Sequence, residues 1–213
     1  MVVYSGARRF GRALAMAVSL AATSFGASAA QPDSAPAAVV RHLDQSLLEV
    51  MQNAKTLGFK GRSDRLAPLV NQVFNIRLMT QVAVGSGWSD LTPDQQDRLT
   101  AAFGRFITAT YADRFDGYSG ETFVETGERP FGNGTLVDTK LVKSDGSPVT
   151  LSYVTRENDG NWQVVDVFMT GTISELATRR SEFSAVYRTT GYDGLLQRLN
   201  EKAAQIEQQA RLS

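Results

Sequence analysis

Between residues 121 and 169 apolar side chains alternate with polar ones, whereas before and after that stretch they recur at helical spacing. A chain with this change of period must place a sheet between two sets of helices. The alternating region divides into 121–129, 134–143, 148–156 and 161–169, separated by Pro130-Phe-Gly-Asn-Gly134, by Asp145-Gly146 and by Asn158-Asp-Gly160. Connections this short make neighbouring strands antiparallel. In the third segment Val149, Leu151 and Tyr153 alternate with Thr150 and Ser152, a half-buried pattern. The fourth, NWQVVDVFM, differs. Strict alternation puts Trp162, Val164, Asp166 and Phe168 on one face and Val165, Val167 and Met169 on the other, so both faces are largely apolar. This reads as a central strand, or one that backs a cavity. Asp166 is out of place there, since a carboxylate in an apolar run needs a partner or a proton.

The flanks read as helices. Val39, Leu43, Leu47, Val50 and Leu57 mark a first one that Gly58 and Gly61 stop. Ser63 and Asp64 open a second stretch, divided at Asn75 and ended by Gly85-Ser-Gly87. Thr92, Pro93 and Gln95 form the clearest start signal in the chain: a cap, a proline at the first helical position and the return side chain of a capping box. That helix should run to about Phe115, with Phe103, Phe106 and Tyr111 in its buried stripe. Thr172-Ile-Ser-Glu175 has capping-box spacing and should start a helix over 174–189. A last helix follows Gly191-Tyr-Asp-Gly194.

Composition narrows the chemistry. At 213 residues with 42% hydrophobic content, the chain can bury one sizeable core, which points to one domain. Basic and acidic residues balance at 22 each, so there is no overall basic field for nucleic acid. Cysteine is absent and His42 is the single histidine, which removes disulfides, thiolate chemistry and histidine-rich metal sites, and no cofactor motif is present. Arg8, Arg9 and Arg12, an apolar run from Ala13 to Ala22 and Ala27-Ser-Ala29 follow one another as in a secretory signal peptide over 1–29. Residues 30–38, with Pro32 and Pro36, read as a flexible leader, 39–209 as the folded domain and 210–213 as a tail.

The run W-x-V-x-D-V from Trp162, then Gly171-Thr-Ile-Ser174, Arg179-Arg-Ser-Glu-Phe183 and Gly191-Tyr-Asp-Gly-Leu-Leu196 resembles the MlaC family of periplasmic lipid-binding proteins, also described as the toluene-tolerance family. Pro68-Leu-Val-Asn-Gln-Val-Phe74, Leu91-Thr-Pro93, the segment 106–111 and Tyr118-Ser-Gly120 extend the likeness over nearly the whole mature chain. In wording, GTISELATRRSEF with YSGE is closer to the hopanoid-associated branch, HpnM. The resemblance implies an α+β domain. It would have a curved, four-stranded antiparallel sheet of the nuclear-transport-factor (NTF2-like) kind, packed by six or seven helices around an apolar cavity for the acyl chains of a phospholipid or hopanoid-type lipid. It also implies a periplasmic monomer that touches membranes transiently, works with an inner-membrane ABC transporter and an outer-membrane donor or acceptor, and maintains outer-membrane lipid asymmetry.

Carried over residue by residue, Trp162, Val165, Val167, Phe183 and Val186 match apolar family positions, and Leu78, Met79, Val82, Phe103, Phe106, Tyr111 and Tyr153 join them from periodicity as candidate cavity or core residues. Asp166 has two readings. In one it is a structural carboxylate paired with Arg180 or with backbone amides at the helix start. In the other it is a general base in an apolar pocket, as in an isomerase or dehydratase. Arg179 and Arg180 suit a phosphate head or a partner's acidic patch. A non-enzymatic envelope adaptor, the third reading, predicts a filled core without a cavity.

Overall fold

The computed structural model describes residues 34–212, so the signal-peptide reading lies outside the described residues. Helix α1 (Ala35–Gln52) begins within the expected leader. Ser34 caps it, its hydroxyl accepting from the Ala37 amide at 3.2 Å. Pro36 sits in the first turn, where its missing N–H costs no hydrogen bond. Residues 35–38 are therefore helix, with Ala37 buried. Asn53 interrupts the run before α2 (Ala54–Val73), and Gly58, at a φ of 61° closed to most side chains, breaks α2 where the sequence places a stop. The second helical stretch consequently starts nearer Phe59 than Ser63.

Asn75 divides that stretch as expected. Its side chain accepts from the Leu78 amide at 3.0 Å and caps α3 (Ile76–Val84), which passes into a 3-10 turn over Gly85–Asp90. In α4 (Pro93–Arg114) both halves of the capping box form: the Gln95 amide donates to Thr92 Oγ1 at 3.3 Å, and the Thr92 amide donates to Gln95 Oε1 at 2.9 Å. Thr92→Ala should lower stability by about 1 kcal/mol, and the midpoint of thermal unfolding by roughly 2–4 °C, without altering ligand binding.

The sheet is a meander in sequential order: β1 (Thr122–Phe131), β2 (Gly134–Val142), β3 (Pro148–Asn158), β4 (Asn161–Met169) and β5 (Ile173–Ser174). Among the described residues five strands replace the four expected of a nuclear-transport-factor-like sheet. The fifth has two residues, too few for any alternation to announce it. It pairs Phe168 with Ser174 and Met169 with Ile173.

β4 is not central. It has β3 on one side, and on the other only β5 and a parallel bridge from Phe74, where the Asn75 amide donates to the Val164 carbonyl at 2.9 Å. Those two short pieces cover an edge that would otherwise be open to pairing. Its inner face instead backs a cavity, lined by Val167 and Met169, and its outer apolar residues have a further cause. Val154 pairs with Asp166 and Thr155 with Val164, so Val165 is the extra residue of a bulge. The bulge resets the parity: Val164 and Val167 face the helices, while Val165 joins Leu136 and Val154 in a small cluster on the outer face, with Leu78 and Phe168 packed against it.

After β5 comes α5 (Glu175–Ala210), whose cap is Ser174, accepting from the Ala177 amide at 2.9 Å, and not Thr172. Gly191, at φ 69°, kinks it into the two closing helices that the sequence predicts. Among the described residues the five continuous α-helices, two of them broken at glycine, make seven helical segments, in keeping with the six or seven expected, and the last runs to Ala210. The main core lies between the helices and the inner sheet face. Phe183 is edge-on to Phe103 and Phe106, at ring-centroid distances of 6.1 and 5.7 Å.

Candidate functional site

One face of α4 is aromatic at helical spacing. Phe103, Phe106, Ile107, Tyr111 and Phe115 descend along it toward the inner sheet face. Opposite them, the cross-strand pairs Leu151–Met169 and Tyr153–Val167 form an apolar floor. Between floor and helix lies a cavity of about 70 Å³, completed by Phe74, Met79 and Leu176 and rimmed by Thr110, Arg114, Glu175 and Arg179. This is a narrow slot, smaller than the chamber for whole acyl chains that the resemblance implies. Well-packed aromatic walls are the reason: Phe74 and Tyr111 are edge-on at 5.5 Å, and Tyr111 stacks on Phe115 at 5.6 Å.

Charge is confined to the two ends. At the rim, Glu175 accepts from Arg179 at 3.1 Å and lies 3.7 Å from Arg114, and the Arg179 guanidinium sits 5.0 Å from the centre of the Phe106 ring. At the inner end the Tyr153 hydroxyl donates to Asp44 Oδ1 over a long 3.4 Å. Burial pushes the Asp44 carboxyl up from 3.8 to about 7; the Tyr153 bond opposes that rise and Glu125 adds to it. Burial also raises the Tyr111 and Tyr153 phenols, so both stay neutral. On the far side of the Tyr153–Asp44 contact, α1 and the first two strands enclose a depression of about 340 Å³ lined by Val40, Asp44, Phe123 and Glu125.

Of the candidates named from sequence, Met79, Phe103, Phe106, Tyr111, Tyr153 and Val167 line the slot. Phe183 supports the wall from behind, and Val82 and Val186 pack on the main core. Val165 is on the outer sheet face, where Leu78 of α3 packs against its cluster, and Trp162 borders a shallow hollow beside α1. The expected Asp166–Arg180 ion pair is replaced by local bonds. Asp166 accepts from the Val167 and Leu176 amides at 2.7 and 3.0 Å and from the Ser174 hydroxyl at 2.6 Å, which ties β4 to the start of α5. Helix-start donors satisfy the carboxylate more cheaply than a long, exposed arginine would. Asp166 does not border the slot, so the slot has no base there. Phe74, Ile107, Phe115, Leu151, Met169 and Leu176 also line the slot; the sequence marks them as apolar positions of helix or strand without carrying them into the lipid-contact set, although Leu151 shares the parity of Tyr153 and Ile107 lies one turn from Phe103 and Tyr111. Asp44 was legible too, as an acid one turn beyond Val40 and one turn short of Leu47.

Fold and site together define a helix-and-sheet binding domain whose site is an apolar slot with charge at its mouth. The chain belongs to the MlaC family: the family model for the MlaC protein matches residues 41–201. The intermembrane phospholipid transport system binding protein MlaC of Haemophilus influenzae is 21% identical over 136 residues, which is 62% of this chain and 63% of that protein's length. The phospholipid-binding protein of Ralstonia solanacearum, solved in complex with a phospholipid at 1.53 Å, superposes with a TM-score of 0.69 at 25% identity. That match covers 82% of this chain and 99% of the other.

Proposed function

We propose that this chain is a periplasmic lipid carrier and not an enzyme. It takes acyl chains of a phospholipid, or of a hopanoid-type lipid, into the slot beneath α4 and shuttles between an ABC transport system at the inner membrane and a donor or acceptor at the outer one. The observation that carries the reading is the apolar slot itself, set in a fold whose Ralstonia relative is described with a phospholipid bound. Each methylene moved out of water contributes about 0.8 kcal/mol, so holding a chain needs apolar wall and no chemistry. A slot of about 70 Å³ takes in an acyl chain only if its walls yield. Met79 and Met169, unbranched and adaptable, are the side chains best suited to turn aside.

The test is native mass spectrometry of the purified protein, followed by organic extraction and uptake from phospholipid vesicles. Phospholipid retained through purification and taken up again after delipidation is the expected result. A hopanoid-type lipid in the extract would name the cargo differently within the same reading. Protein that carries no lipid and acquires none from vesicles would overturn it.

A further inference from the structure

The acidic side chain at the mouth of the slot sits where a lipid phosphate belongs. Glu175 is the first residue of α5, and its two carboxylate oxygens face different guanidiniums, Oε2 at 3.1 Å from Arg179 and Oε1 at 3.7 Å from Arg114. The second distance is too long for a good hydrogen bond, so Arg114 keeps donors to spare among its five N–H groups. Arg179 is held in place: its side chain is 19% exposed, it lies over the Phe106 ring, and it reaches Glu182 at 3.8 Å. Glu182 is in turn shared with Lys202 at 2.8 Å and Arg198 at 3.9 Å. Arg114, Arg179 and Glu175 border the slot, and through Glu182 the chain of ion pairs continues behind them to Arg198 and Lys202, so that four cations are linked through two acids. Guanidinium pairs match the planar, bidentate geometry of phosphate oxygens, and a phosphodiester carries the single negative charge that Glu175 now supplies between them.

We propose that Arg114 and Arg179 form a phosphate clamp at the mouth of the slot, and that Glu175 is its internal stand-in, displaced when the phosphodiester of a lipid arrives with its chains in the slot. The proposal rests on the lipid-carrier reading and adds a headgroup chemistry to it. Phosphate-bearing lipids are preferred to neutral lipids with the same chains, and the preference comes from two named arginines. Glu175 sets how strong it is, because the incoming phosphate has to displace a carboxylate already bound.

Two vesicle-borne lipids with identical chains, a phosphatidylglycerol and a diacylglycerol, separate the cases when uptake is measured for the native chain and for Arg114→Gln, Arg179→Gln and Glu175→Gln. Either arginine variant should lose about tenfold in phosphatidylglycerol uptake and keep its diacylglycerol uptake. Glu175→Gln should gain a few-fold for phosphatidylglycerol alone. Arg114 stacks on no ring, so its variant preserves the test if Arg179→Gln destabilises the wall behind Phe106. Equal losses for both lipids, or no change in any variant, would show a solvated ion-pair cluster and overturn the clamp while leaving the carrier intact. If the native chain takes up neither lipid, the clamp is overturned, and the carrier reading falls with it when the purified protein also carries no extractable lipid. Millimolar inorganic phosphate added without lipid is the remaining arm: arginine-dependent binding of the free ion, without any discrimination between the two lipids, would also overturn the proposal.

Discussion

Asp44→Asn should make this protein more stable above neutral pH and flatten its stability between pH 4 and 8. Asp44 points from α1 toward β3, 6% exposed, with the Tyr153 hydroxyl at 3.4 Å. The other groups facing it are the Tyr111 phenol of α4 and Glu125 of β1, which Arg41 of α1 neutralises in part at 2.9 Å. Burial is the largest cause of its raised pKa, about 7 in the folded chain against 3.8 when unperturbed. The folded state therefore holds a proton that the unfolded chain has already released over that interval. The stability this proton contributes is fully present below pH 4, declines as pH rises, and is gone once the folded carboxyl ionises. A displacement from 3.8 to about 7 corresponds to roughly 4 kcal/mol at most. Asparagine keeps an oxygen for Tyr153 and can never ionise. Urea unfolding at pH 8 should place the variant about 2–4 kcal/mol above the native chain, and at pH 3, below the unfolded pKa, the two should nearly coincide. A gap of the same size at both values would mean that Asp44 acts through packing and not through its charge.

That carboxyl belongs to the part of the site the sequence announced without its meaning. Local signals with a physical mechanism transferred well: the capping box at Thr92, the division at Asn75, the break at Gly191 and the tight turns of the meander each specify a backbone geometry on their own. Features that depend on what lies opposite did not transfer. Residues 35–38 look like a linker until Ser34 is seen to cap them, and β5 is two residues long because its only task is to close part of an edge. The size of the slot depends on how Tyr111, Phe115 and Phe74 stack on one another, which no periodicity encodes. For Asp166 the sequence favours a structural pin over a catalyst without naming the groups it pins. Those groups are Ser174 and Leu176, and the nearer of them is eight residues away along the chain.

The bulge at Val165 turns that same limit of sequence reading into the most direct test of the slot. Strict alternation puts Val165 and Val167 on one face, and both were candidates for lipid contact; the register shift separates them. Val167 faces the slot opposite Tyr153, whereas Val165 packs against Leu136 and Val154 on the outer face. Val167→Phe places a ring in a space of about 70 Å³ and should cut vesicle uptake of phospholipid by at least tenfold. Overpacking of this kind costs typically 1–3 kcal/mol, a loss a domain of this size can survive. Val165→Phe is the matched control: a comparable cost in unfolding free energy from the same strand, with uptake close to native. Measuring both by urea unfolding and lipid uptake separates a blocked site from a weakened fold. If both variants lost uptake in proportion to stability, the slot would be only a gap in the core, and acyl chains would have to bind elsewhere. Loss confined to Val167→Phe instead places the acyl chains between α4 and the inner face of β3 and β4.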